Sequence, residues 1–217
     1  MKRYAQVPWP WIGIFLALGA AVQALLAPQS TAASTLGETA YRIVAMSIGV
    51  SSLVLLFMPP RRIAYFTGAL VAAGLVAWAL YLQYVVGLDP CPLCSVQRMV
   101  VIALGVICVV AAFQNPRRGG ATFYALIATI VGGFGILVAM RHVWIQALPK
   151  GEVPSCGMSL NYMLDTLPFS DVLDKLFHGG GECAEEGWKF LQLAIPSWTL
   201  VFFVAMVVGS IALVRRD

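Results

Sequence analysis

The residues of this 217-residue chain that are best suited to chemistry are its five cysteines. Cys91 and Cys94 form a Cys-Pro-Leu-Cys motif. Cys156 and Cys183 follow in a later polar segment, and Cys108 stands alone in an apolar run. A Cys-x-x-Cys pair can be redox-active, can be a structural disulfide or can form half of a zinc site. The spacing favours redox chemistry, with local pairing of the motif and therefore pairing of Cys156 with Cys183. Cys108 is interpreted as a small packed side chain.

Polar residues near the motif favour the redox interpretation. Arg98 follows Cys94 by four residues, so on a helix the two side chains share one face. A Cys94 thiolate beside a guanidinium and near a helix N-terminus is stabilised as an anion, which makes it a good leaving group. The alternative is that Arg98 extends to lipid phosphates. Gln97 could add a hydrogen bond, and His142 is either an interfacial anchor or a catalytic group.

The elements that position these residues are predicted to be membrane-spanning helices. The chain is 60% hydrophobic and 11% charged, with a mean hydropathy of +0.84. Soluble domains have about 45–50% apolar and about 25% charged residues. This composition excludes a soluble domain, a disordered chain and a nucleic-acid-binding protein. The fold class is therefore an all-α integral membrane protein with six predicted spans, at residues 9–27, 43–58, 63–86, 99–113, 121–145 and 198–214.

The few charges predict the orientation of the spans. Basic pairs precede the first span, follow the last and fill every second gap between spans: Lys2–Arg3, Arg61–Arg62, Arg117–Arg118 and Arg215–Arg216. The segment 146–197 instead holds seven acidic residues against three lysines. By the positive-inside rule both termini are cytoplasmic, and the four paired cysteines face the oxidising side. An uncleaved first helix is favoured over a signal peptide cleaved near Ala32–Ala33.

Glycines in the fifth predicted span have two interpretations. Gly132, Gly133 and Gly135 lie within four residues of one another. They fit close helix packing, because small residues let helix backbones approach. They could equally leave room for a flat ligand.

Two segments resemble the DsbB family, the disulfide bond formation proteins of bacterial inner membranes. The run Pro90–Cys94, with Gln97 and Arg98, is similar to the first redox loop of that family. The stretches 181–185, 188–191 and 195–198 are similar to its second redox loop and the start of its last helix. His142 stands where the family has a histidine near bound quinone. The resemblance covers residues 63–214, and the preceding part departs from the family pattern.

The resemblance implies a redox domain at residues 63–217, with four transmembrane helices and a large periplasmic loop at 146–197, after a two-span extension at 1–62. A reduced periplasmic DsbA-like thioredoxin-fold protein would attack the Cys156–Cys183 disulfide. Freed Cys183 would attack Cys91 and expel Cys94 as a thiolate. The electron acceptor would be ubiquinone or menaquinone, linked to the respiratory chain, and no metal is implied.

The resemblance also assigns the site residues. Cys91, Cys94, Cys156 and Cys183 would be catalytic, together with Arg98. Quinone binding would fall to Cys94, Arg98, His142 and Gln97. Two alternative functions belong to different classes of protein. One is an enzyme similar to vitamin K epoxide reductase, and the other is a non-enzymatic membrane scaffold with structural disulfides. The residues around Cys91 and Cys183 favour the DsbB family over the first alternative, and the second stays open.

Overall fold

Helices dominate the computed structural model, which describes residues 36–56, 60–88, 90–147, 168, 171, 189–190 and 193–215. The helices are α1 (Leu36–Leu56), α2 (Arg61–Tyr84), α3 (Pro92–Gln114), α4 (Arg118–Gln146) and α5 (Ile195–Arg215). Just before α5, two short antiparallel strands, β1 (Lys189–Phe190) and β2 (Leu193–Ala194), pair Phe190 with Leu193. The all-α prediction did not include this ladder, because two-residue strands carry no alternating pattern.

Four of these helices, α2 to α5, are long and apolar enough to cross a membrane. They confirm an all-α multi-pass membrane protein. The predicted span at 43–58 falls largely on α1, whereas the span at 9–27 lies outside the described residues. The termini, the cysteines at 156 and 183 and most of the loop 146–197 also lie outside them.

Two helix ends differ from the predicted spans for local reasons. α3 begins at Pro92, seven residues before the predicted start, because proline at the first helical position preorganises the backbone. The predicted span from 99 left out the polar first turn of this helix. α2 ends at Tyr84 although the apolar run continues for two residues. Gly87 then has a φ of 78°, in the left-handed region that favours glycine, and turns the chain away.

The helices pack in the order α1, α5, α4, α3, α2, each against the next. Close approach of α4 to α5 depends on two glycines. A Cβ at Gly132 would lie 2.7 Å from Val207 Cγ2, and one at Gly135 would lie 3.0 Å from the ring of Phe203. Phe203 is fully buried in the core. The glycines therefore serve helix packing, and α5 fills the space that a flat ligand would have taken.

The outer surface of the bundle is apolar, as lipid contact requires. Large hydrophobic side chains are exposed on every helix, among them Phe66 on α2, Val106 on α3, Leu137 on α4 and Ile211 on α5. On α1, Ile43 and Met46 are buried while Val44 and Ile48 are exposed. One face of α1 therefore joins the bundle, and the other is available to lipid.

Candidate functional site

Cys91 is the N-cap of α3, so its sulfur lies at the positive end of that helix. Its backbone is extended, with φ −63° and ψ 162°, and Pro92 follows as the first helical residue. The Cys94 backbone N–H donates to Cys91 Sγ over 3.3 Å. The sequence predicted a helix start near Cys94. The actual start places both sulfurs within the first turn, and Cys91 is the residue that caps it.

His142, near the end of α4, lies directly against this turn. Its Nε2 is 3.8 Å from Cys91 Sγ, and only 2% of the side chain is exposed. The Cys91, Cys94 and His142 ligand atoms all lie within 4.8 Å of one another. Two thiolates and an imidazole are also ligand types of zinc sites, so this geometry alone admits both thiol exchange and metal binding.

The other nitrogen of His142 is held by a buried hydrogen-bonded chain. Gln97 Nε2 lies 3.2 Å from His142 Nδ1, and the Thr199 hydroxyl lies 2.7 Å from Gln97 Oε1. Gln97 is as fully buried as His142. Gln97 thus contacts the histidine and α5. Thr199 was not among the residues predicted from the sequence, where its only signal was a hydroxyl near the start of an apolar helix.

Arg98 is half-buried one turn after Cys94, and its hydrogen bonds run to α2. The guanidinium donates to Gln83 Oε1 over 2.6 Å and to the Ala79 carbonyl over 3.4 Å. Because a guanidinium has five N–H donors, these two bonds do not exhaust it. Arg98 therefore has the strongly polar partner that a charge near the membrane requires. Sequence analysis missed Gln83, although a glutamine within an apolar span was a usable signal.

A cavity of about 820 Å³ joins the sulfurs to the interior of the bundle. We define its cysteine end by Cys91, Cys94, Arg98 and His142, and its far end by Leu213. Between these ends the lining side chains of α2, α3 and α5 are mostly apolar, and α1 also contributes. A long apolar cavity with polar groups at one end fits a molecule that has a flat polar head and a long hydrocarbon tail.

Cys108 lines the same cavity but plays a packing role. It is buried, and its Sγ would lie 3.2 Å from a Cβ added at Gly68. It belongs to an apolar cluster with Tyr65 and Ala69. This environment fits the prediction of a small packed side chain.

Three relatives of this chain carry the same description as the family model that matches it. The family model described as disulfide bond formation protein DsbB matches residues 60–213. Disulfide bond formation protein B of Hahella chejuensis is 46% identical over 157 residues, which cover 72% of this chain and 95% of that protein. Its counterpart in Nitrosococcus oceani is 46% identical over 150 residues, which cover 69% of this chain and 89% of that protein. The counterpart in Stutzerimonas stutzeri is 42% identical over 159 residues, which cover 73% of this chain and 97% of that protein. No solved structure matches the chain significantly.

Proposed function

Because this chain belongs to the DsbB family and is a membrane thiol oxidoreductase that forms disulfide bonds, we propose that it reoxidises a periplasmic DsbA-like dithiol protein and uses membrane quinone as the electron acceptor. The observation that carries the proposal is the position of Cys91 and Cys94. They lie at the N-terminus of α3, at the polar end of a long apolar cavity. The match over residues 60–213 favours this function over an epoxide reductase or a structural scaffold.

The proposed exchange starts in the loop 146–197. A thiolate of the partner attacks Cys156, the Cys156–Cys183 bond breaks, and Cys183 leaves with the electron pair. Cys183 then attacks Cys91, which forms a Cys91–Cys183 bond and breaks the Cys91–Cys94 bond. Cys94 leaves as a thiolate. The positive end of α3 and the nearby guanidinium of Arg98 stabilise that negative charge.

The cavity supports a quinone as the cofactor. A bound quinone would supply the capacity to take up two electrons and two protons. Cys94, Arg98 and His142 lie at the end that would hold its ring, and the apolar walls would hold its tail. Gln97 would contribute by holding His142, which is its hydrogen-bond partner. An isoprenoid tail is common to ubiquinone and menaquinone, and the apolar lining accommodates either.

The proposed topology has six spans with both termini in the cytoplasm and both redox loops in the periplasm. Helices α2 to α5 are long and apolar enough to form four of these spans, and α1 contains residues 43–56 of the predicted span at 43–58. The basic pairs at Arg61–Arg62 and Arg117–Arg118 lie at the ends of α2 and α4 that are remote from Cys91. This distribution supports cysteines on the periplasmic side of the inner membrane.

The extension at residues 1–62 is proposed as an accessory unit of the redox domain at 63–217. The family model begins only at residue 60, so α1 is additional to the family core. Val50 and Val54 of α1 line the cavity, and Val54 packs 3.5 Å from the position of a Cβ at Gly209. The extension would therefore complete one wall of the cavity.

Quinone reduction by the purified full-length protein tests this function. A reduced DsbA-like protein serves as electron donor, and the quinone absorbance reports turnover. We expect Cys94→Ser to abolish turnover and Cys108→Ser to retain it, because only Cys94 belongs to the exchanging pair. Full turnover by Cys94→Ser would overturn the proposed function.

A further inference from the structure

Cys91 and three other side chains form one hydrogen-bonded relay between helices. Cys91, His142, Gln97 and Thr199 come from α3, α4 and α5, and the atoms that join them lie 3.8, 3.2 and 2.7 Å apart in that order. Each link needs one donor and one acceptor, because a buried polar group without a partner costs about 1–3 kcal/mol. The proton positions along the relay are therefore coupled.

The protonation state of the Cys91 sulfur determines which atom of each pair in the relay donates the hydrogen bond. In the proposed exchange Cys91 is a disulfide sulfur throughout, bonded first to Cys94 and then to Cys183, so it carries no proton. The ring nitrogen that faces it must then be the donor, so the proton of a neutral His142 lies on Nε2. Nδ1 becomes an acceptor, because a neutral imidazole has one donor and one acceptor nitrogen.

The orientations of the Gln97 amide and the Thr199 hydroxyl follow in the same way. Gln97 must present its N–H to Nδ1 of His142, which turns Oε1 towards Thr199, as the structure has it. The Thr199 hydroxyl then donates to Oε1. The Pro196 carbonyl, 2.9 Å from the same hydroxyl, is a competing acceptor for that proton. Reversing the amide would put the proton on Nδ1 and leave two acceptors, Nε2 and the sulfur, facing each other.

We propose that Gln97 and Thr199 are positioning residues that fix the Nε2–H tautomer of His142, so that the imidazole donates a hydrogen bond to the Cys91 sulfur. This inference rests on the proposed exchange at Cys91. It assigns His142 to stabilising the negative charge that the three sulfurs share while Cys183 attacks Cys91 and Cys94 leaves. In this tautomer the histidine is a donor to the sulfur and not a base that takes its proton.

Nitrogen-15 NMR of histidine-labelled, oxidised full-length protein tests the tautomer without any turnover. The chain has two histidines, and His178→Gln leaves the signals of His142 alone. We expect a protonated Nε2 and an unprotonated Nδ1. A protonated Nδ1, in either the opposite tautomer or the imidazolium, would overturn the proposal. A correct tautomer in a protein that fails to reduce quinone would instead count against the proposed function alone.

Two pairs of variants test the positioning role. Gln97→Glu presents only acceptors, so we expect the proton to move to Nδ1. Thr199→Val removes the hydroxyl and should give a mixture of tautomers, whereas the matched Thr199→Ser keeps it and should preserve the wild-type spectrum. Wild-type spectra from Gln97→Glu and Thr199→Val would show that neither residue sets the tautomer.

Reactivity of Cys91 provides a second readout. With Cys94 changed to serine, alkylation of Cys91 is followed at neutral pH by peptide mass spectrometry. Gln97→Leu should slow it by about tenfold, the lower range for a hydrogen bond to a charged group. Thr199→Ser should leave the rate unchanged. An unchanged rate in Gln97→Leu would show that the relay does not act on the sulfur.

Discussion

Removing the hydrogen-bond acceptor of Arg98 should weaken the use of quinone without removing the charge. Gln83 Oε1 accepts from the guanidinium over 2.6 Å, whereas the remaining bond, to the Ala79 carbonyl, is long at 3.4 Å. In Gln83→Leu the guanidinium would keep its charge and lose its short bond to α2. It would then no longer be held at the cysteine end of the cavity.

The size of the effect follows from the bond and its burial. A hydrogen bond to a charged group contributes about 1.5–3 kcal/mol. Arg98 is half-buried, so water replaces part of the lost bond and the lower value applies. A loss of about 1.4 kcal/mol is a factor of about ten, and we therefore expect the quinone KM to rise about tenfold.

The assay titrates a quinone at a saturating concentration of reduced DsbA-like protein. Gln114→Leu is the matched control, because Gln114 also accepts a 2.6 Å hydrogen bond, from the Tyr124 hydroxyl, at the opposite end of α3. It should leave the quinone KM unchanged. In a double-mutant cycle, Gln83→Leu should have little further effect once Arg98 is methionine. Additive effects in that cycle, or equal KM values for the two leucine variants, would refute the reasoning.

Three further outcomes are expected. Gly135→Ala should destabilise the detergent-solubilised protein by about 1–3 kcal/mol, because the added methyl group meets an aromatic ring of α5 at 3.0 Å. Gly133→Ala, which has open space, is the control, and equal thermal midpoints would contradict the packing account. Val54→Trp should raise the KM of a long-tailed quinone more than that of a tailless one. Leu53 faces away from the cavity, so Leu53→Trp should not change either KM. If both tryptophan variants changed the KM values alike, α1 would not contact the quinone tail. A periplasm-active reporter fused after Arg118 should be silent, and strong activity there would reverse the topology.

The sequence predicted the helices well and their polar ends less well. Apolar runs identify α2, α4 and α5 to within a few residues, because lipid contact demands uninterrupted hydrophobicity. The apolar run of α3 begins only at residue 99, because the first two turns carry the polar side chains of the site. The spacing of Cys94 and Arg98 instead predicted a helix start near Cys94, two residues after the actual start at Pro92. The β1–β2 ladder depends on pairing between two segments too short to show a period.

The site was predictable where it depends on local spacing. Cys91, Cys94 and Arg98 follow from one short motif, and the rise of 1.5 Å per residue along α4 places His142 at the same level. Gln83 and Thr199 could not be found in this way. Their partners depend on how α2 and α5 are rotated against α3, which no single helix encodes.

The N-cap position of Cys91 links the start of α3 to the reduction potential of the pair. The bond from the Cys94 N–H to Cys91 Sγ is stronger when the sulfur carries negative charge than when it is in a disulfide. Helix caps contribute about 0.5–2 kcal/mol. For a two-electron couple, about 1.4 kcal/mol corresponds to about 30 mV, so a bond of this size can shift the potential by no more than roughly 40 mV. Because it favours the reduced form, it would make the proposed Cys91–Cys94 disulfide more oxidising. A single backbone amide would thus add to the driving force of the proposed thiol oxidation.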